Sequence, residues 1–195
     1  MNFCQYSMKK EKLPMKNVLL ILADGFEEIE ALGTADVLRR LGMNLILASL
    51  EEKCVTGAHG MKIIADTSLP EVVNDSFDAV ILPGGMPGAA NLDADDNVDK
   101  ILQKAANGNW IIGAICAAPF VLAKRNLLNG KVFTMYPGFE TELNGLAYTA
   151  NPAEISGNIV TGKGPGAVFA FAAALAEALG AKEECQKLYQ GMFIK

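Results

Sequence analysis

Histidine is almost missing from this chain: of 195 residues only His59 carries an imidazole. The four cysteines, at 4, 54, 116 and 185, form no Cys-x-x-Cys pair, so a zinc site has little to draw on and no metal is expected. Positive charge is not in excess either. Lysines and arginines number 17 against 22 aspartates and glutamates, a net charge of −5, which excludes the basic footprint of a nucleic-acid binder. No apolar run approaches the roughly 18–20 residues that span a bilayer, so no membrane partner is expected. The first sixteen residues, MNFCQYSMKKEKLPMK, hold lysines but no continuous apolar stretch and do not read as a secretory signal. Scattered thiols without such a signal fit a reducing, cytoplasmic setting, where the question becomes which thiol reacts.

What is present is globular. Apolar residues make up 51% and charged residues 20%, enough to bury a core without disulfides or a structural ion. Residues 1–14 lack apolar periodicity and are expected to be a flexible extension. Met15 reads as the start of a single domain over 15–195.

Short apolar runs alternate with helical patterns. Strands are predicted at 17–23, 44–50, 77–82, 109–115, 131–135 and 158–161, with a hairpin-like excursion over 54–66. Helices are predicted at 27–41, 95–106, 118–125 and 167–179. The first should bury Ile29, Leu32, Val37, Leu38 and Leu41 on one side, and the last, apolar nearly all round, should be buried. This alternation predicts one α/β domain, with a mostly parallel sheet covered by helices on both faces. Ligands in such sheets bind beyond the carboxyl ends of the strands, where 24–30, 83–88 and 116–119 fall.

In GAICAAP (113–119) a strand runs into Cys116 and then a helix, with small neighbours that permit a sharp turn. A thiol there faces a helix N-terminus, whose N–H groups and dipole favour thiolate. A buried structural cysteine is the alternative. PGGMPG (83–88) ends a neighbouring strand with glycines that let backbone amides point at an oxyanion; a plain tight turn is the alternative. No P-loop is present. Glu27, Glu28 and Glu30 open the first helix, where acidic residues are ordinarily solvated partners of the dipole. Glu30 differs, because it falls inside the apolar pattern; partial burial should raise its pKa and leave a carboxyl able to share a proton with a thiolate.

Taken together, ADGFEEIE (23–30), LPGGMPGAANL (82–92), AICAAP (114–119) and GKGPG (162–166) resemble the ThiJ/PfpI superfamily, in the branch of the parkinsonism-associated deglycase. The resemblance runs from about Met15 to the C-terminus. It implies a flavodoxin-like sandwich, a nucleophilic cysteine at Cys116 with Glu30 as its carboxylic partner, and an anion-holding loop from Gly84, Gly85 and the Ala117 amide. It places Asp24 at the pocket mouth, Arg40 and His59 near the interface of a homodimer, and Tyr136 where some relatives have a pocket histidine. Peptidase-like members carry histidine directly after the cysteine; Ala117 stands there, which disfavours proteolysis. The implied activity is cofactor-independent glyoxalase or deglycase chemistry on small reactive aldehydes. The alternative is a redox-responsive stress protein or chaperone that uses oxidation of the same cysteine.

Overall fold

The computed structural model describes residues 15–143 and 145–194. The predicted extension over 1–14, with Cys4, lies outside the described residues. The elements follow in the order β1 (Asn17–Leu22), α1 (Glu28–Arg40), β2 (Asn44–Ser49), β3 (Cys54–Thr56), β4 (Lys62–Ile64), β5 (Thr67–Ser68), α2 (Leu69–Val72), β6 (Ala79–Leu82), α3 (Gly88–Ala94), α4 (Asp96–Asn107) and β7 (Ile111–Ile115). Then come α5 (Pro119–Lys124), β8 (Val132–Thr134), β9 (Ala147–Thr149), β10 (Ala153–Ser156), β11 (Ile159–Gly162), α6 (Val168–Ala178) and α7 (Lys182–Gly191).

One seven-stranded sheet runs β10-β11-β7-β6-β1-β2-β5, parallel except where β10 pairs with β11. Its parallel core, β2-β1-β6-β7-β11, has the strand order of a flavodoxin-like sandwich. Alternation along β1 explains the two layers. Val18, Leu20 and Leu22 face a core shared with α1 and α6, through Leu38, Phe171 and Leu175. Leu19 and Ile21 face the opposite core, filled by Val98 and Ile101 of α4 and Val121 of α5. The chain passes from β1 outward to β2 and β5 and then crosses back to β6 on the other side of β1, and the crevice beyond β1 and β6 is where the site forms. No described helix is long and apolar enough to cross a membrane.

The departures from the predicted elements have physical reasons. Ile29 is 56% exposed and Leu32 half-buried, while Glu28 and Glu30 turn inward. The apolar side of α1 therefore begins at Ala31, not at Ile29. The alanine-rich α6 is not buried all round: Phe169, Ala170 and Glu177 face outward. A helix was not foreseen at α7, whose sequence KEECQKLYQG is polar apart from the side holding Cys185 and Tyr189. Tyr189 fixes it by donating its hydroxyl hydrogen to the Phe169 carbonyl at 2.6 Å. The strand predicted at 131–135 is β8, which leaves the main sheet to pair in parallel with β9. The hairpin over 54–66 is present as antiparallel β3 and β4.

Candidate active site

Cys116 lies one residue beyond β7, with φ of +64°, a left-handed conformation that costs an L-residue about 1–2 kcal/mol. Both of its backbone groups are clamped. Its amide donates to the Gly162 carbonyl at 2.9 Å, and its carbonyl accepts from the Tyr136 amide at 2.9 Å. The side chain is thereby aimed inward, 8% exposed.

Glu30 reaches the same point from the first turn of α1. Glu27 caps that helix, its Oε2 accepting the Glu30 amide at 2.7 Å. Glu30 is 1% exposed, and its Oε2 accepts the Gly84 amide at 2.8 Å. Its Oε1 is buried without a hydrogen-bond partner, and the carboxyl as a whole interacts with the neighbouring Cys116 thiol. Glycine at 84 is required by this convergence. A Cβ there would sit 2.6 Å from the Cys116 Cβ and 2.8 Å from Glu30 Oε2.

The two groups shape each other's titration. Burial pushes the Glu30 carboxyl up to about 7, opposed by the Cys116 thiol and the Gly84 amide, with the Glu27 charge adding to the rise. Burial and then the Glu30 charge push the Cys116 thiol up to about 12, while the amides of Gly85 and Ala117 pull it down. This reverses the expectation of a thiol made acidic by its helix. α5 is only six residues long, and its N-terminus does not offset burial beside a carboxylate. The pair titrates as one unit, in which sulfur carries negative charge most readily while Glu30 holds the proton.

The predicted anion loop needs one correction. The Gly84 amide is already donated to Glu30, so it is not free for an oxyanion. The amides of Gly85 and Ala117 are the ones directed at the thiol. Gly85, at φ +87°, also packs so tightly on the 25–27 backbone that a Cβ would fall 2.5 Å from the Glu27 nitrogen. The loop is locked there by the Glu27 amide donating to the Gly84 carbonyl at 2.9 Å.

The remaining predicted residues do not join the thiol. Asp24 is exposed and accepts the Thr56 amide at 2.8 Å, tying β3 to the end of β1. It lines a separate cavity of about 410 Å³ with Ser49, Glu51, Cys54 and Asp95. Arg40 pairs with Asp36 at 2.7 Å near the far end of α1, about 15 Å along the helix from Glu30. His59 sits on the hairpin turn, and its Nδ1 lies 2.8 Å from Glu28 Oε2. Tyr136 is held beside Cys116 by its backbone, with its ring edge-on to Phe139.

Glu27 and Glu28 were expected to be solvated, yet they are 7% and 3% exposed. Glu28 receives the His59 and Met61 amides as well as the imidazole, so its carboxyl stays below the ordinary range although burial alone would raise it. Glu27, Glu28 and His59 bring donor atoms within 4.8 Å of one another. Each carboxylate is nevertheless engaged: Glu28 Oε2 by the imidazole, Glu27 Oε2 by the Glu30 amide. They form an internal link between helix and hairpin. The capping role of Glu27 was the missed functional signal, detectable as an acidic residue three positions before Glu30.

This strand–cysteine–helix turn, facing a buried glutamate across a glycine loop, lies within a match to the DJ-1/PfpI family model over residues 16–178. The chain belongs to the DJ-1/PfpI family. It is 39% identical to Protein dj-1beta of Drosophila melanogaster over 182 residues, covering 92% of this chain and 97% of that protein. The crystal structure of Drosophila melanogaster DJ-1beta superposes with a TM-score of 0.89 at 38% identity, over 93% of this chain and all of that one. Similarity extends to relatives with named activities. The chain is 35% identical to the glutathione-independent glyoxalase DJR-1.2 of Caenorhabditis elegans over 176 residues, 89% of this chain and 94% of that protein. It is 30% identical to a deglycase of Pyrococcus abyssi (strain GE5 / Orsay) over 157 residues, 79% of this chain and 93% of that protein.

Proposed function

We propose that this DJ-1/PfpI protein is a cofactor-independent enzyme of glyoxalase or deglycase type, acting on 2-oxoaldehydes or their early adducts. The observation that carries this reading is the convergence of Cys116 and Glu30 on Gly84, with two amides left over to receive a negative oxygen. In this scheme the Glu30 carboxylate takes the thiol proton as sulfur adds to the aldehyde carbon. The carbonyl oxygen becomes a hemithioacetal hydroxyl, its developing charge held by the Gly85 and Ala117 amides. Glu30 then moves a proton from the former aldehyde carbon to the adjacent carbon through an enediol, leaving a 2-hydroxy thioester on Cys116. Water cleaves that thioester, releasing the hydroxy acid and restoring the thiol. A carboxyl raised to about 7 is poised both to accept and to give a proton at neutral pH. Net, one aldehyde and one water become one hydroxy acid, the stoichiometry of a hydro-lyase run in its hydrating direction.

The names carried by the worm glyoxalase and the archaeal deglycase support this reading. We also propose a cytoplasmic homodimer with Arg40 and His59 near its interface. The test of function is incubation with methylglyoxal in the absence of glutathione. Lactate should form with the wild type and not with Cys116→Ala; equal rates would overturn the reading.

A second reading is favoured by the same pocket. Peroxide, in two successive steps, would convert the Cys116 thiolate to sulfinate and itself to water, and the Glu30 proton with the two amides would hold the product. A protein that oxidises cleanly at Cys116 but makes no lactate would act through this route.

A further inference from the structure

Past Tyr136 the structure opens into a cavity of about 540 Å³ that a three-carbon aldehyde does not need. It adjoins the thiol through backbone. The Gly162 carbonyl takes the Cys116 amide hydrogen and Lys163 follows directly, while the Tyr136 amide holds the Cys116 carbonyl. The ring of Tyr136 lies over Gly164, where a Cβ would meet it at 3.2 Å. The volume lies within the roughly 300–1,000 Å³ of cavities that hold whole organic ligands. The walls are Tyr136, Pro137, Pro152, Pro165 and small residues, an apolar surface of fixed shape.

Lys163 is the one charged residue lining this space. Its Nζ donates to the Ala150 carbonyl at 3.1 Å, and among the described residues no carboxylate lies within ion-pair reach of it. An ammonium has three hydrogens to donate, and here a neutral oxygen takes one. A half-buried cation with remaining donors at the edge of an apolar cavity is matched by a ligand with an apolar body and an anionic end.

We propose that this cavity is a carrier subsite and Lys163 its specificity-determining residue: it receives the carboxylate of an amino acid whose nitrogen or sulfur bears the dicarbonyl-derived group. The proposal rests on the function given above, since it assigns the hydroxyacyl end of the ligand to Cys116 and the carrier to the space beyond Tyr136. The preferred substrates are therefore carboxylate-bearing adducts with an apolar side chain, bound more tightly than free aldehyde.

The probe is N-lactoyl-phenylalanine, a stable isomer of the methylglyoxal–phenylalanine adduct, compared with its carboxamide. Calorimetry gives both affinities for the wild type, Lys163→Met and Lys163→Arg, and methylglyoxal turnover is measured on the same samples. The acid should bind the wild type about tenfold more tightly than the amide. Lys163→Met should bring that ratio to near one, Lys163→Arg should keep it, and free methylglyoxal turnover should stay within twofold in both. Equal affinity of acid and amide for the wild type, or binding of neither, overturns the subsite. So does a loss of acid preference in Lys163→Met matched by an equal loss of free-aldehyde turnover. Acid preference without any methylglyoxal turnover in the wild type would remove the proposed function and leave the anion subsite standing.

Discussion

Glu30 and Gly84 meet across 54 positions of sequence, the Gly84 amide donating to Glu30 Oε2 at 2.8 Å. That bond holds the carboxyl beside the thiol, and it depends on residue 84 having no side chain. Gly84→Ala should therefore act on both partners at once, pressing on the Cys116 Cβ and on Glu30 Oε2. We expect a loss of roughly 1–3 kcal/mol in unfolding free energy, as for other overpacked sites. Turnover should drop by about a hundredfold, a larger loss than stability alone explains. Denaturant unfolding and lactate formation on one preparation check both numbers; unchanged turnover would sink the geometry argued for Glu30.

Glu30 should also make the protein less stable as pH rises. Its folded pKa of about 7 lies above the ordinary 4.5, so between these values the folded state keeps a proton that the unfolded state has lost. Stability then falls with increasing pH across that window, by about 3 kcal/mol in all. Glu30→Gln removes the titration while keeping an oxygen for the Gly84 amide. At pH 8 it should melt higher than the wild type, at pH 4.5 the two should converge, and turnover should be largely lost. A difference independent of pH would refute the buried titration.

The hairpin offers a pH response of opposite sign at two ends. His59 has its pKa raised, first by the hydrogen bond to Glu28 and then by that group's charge. Its contribution is complete below 6.5 and disappears as pH rises through the raised folded value. Glu28 is held low, so its share is present above 4.5 and disappears as pH falls. Amides of residues 54–64 should thus show the greatest protection in mildly acidic solution. In His59→Ala the loss of protection should be plain at pH 6 and absent well above the His59 transition. Hydrogen exchange corrected for intrinsic rates reads this directly.

The described thiols should divide by reagent. Cys54 is exposed, whereas Cys116 and Cys185 are buried. A bulky alkylating agent should label Cys54 first. Mild peroxide, small enough to enter, should add two oxygens to Cys116, where a carboxyl and two amides hold the product, and leave Cys185 untouched. Peptide mass spectrometry distinguishes these outcomes. Uniform oxidation of Cys54, Cys116 and Cys185 in the folded protein would contradict the assignment.

The parts of the site legible in the sequence were those set by local chemistry. A cysteine between small residues at a strand end, a glycine pair after an apolar run and one glutamate out of step with its helix are all short-range signals. The burial of Glu28 is not such a signal, because it depends on amides of His59 and Met61 arriving from a hairpin 31 to 33 positions later. Nor was the engagement of the Gly84 amide visible, since its acceptor lies on another element. Periodicity misplaced Ile29 for the same reason: the first turn of α1 turns inward toward loops, not toward the sheet, and carboxylates met there by N–H groups outcompete an aliphatic side chain. α7 escaped notice because only Cys185, Leu188 and Tyr189 give an apolar side to a helix whose remaining residues are mostly charged or polar.

The margins of the main sheet bear on how copies of this protein meet. A free strand edge is an open ladder of N–H and C=O groups, and other chains can extend it. Here one margin is β5, two residues long and followed at once by α2, whose Pro70 has no N–H to offer. The other is β10, four residues, with Ser156 accepting the Val132 amide at 3.2 Å. Neither margin supports a ladder of useful length, so crowding and high expression should not drive fibre-like growth along the main sheet. With the main sheet's margins closed to it, a specific pairing of two copies is left to surfaces such as those of the helices and the hairpin, where charge and shape can be selective.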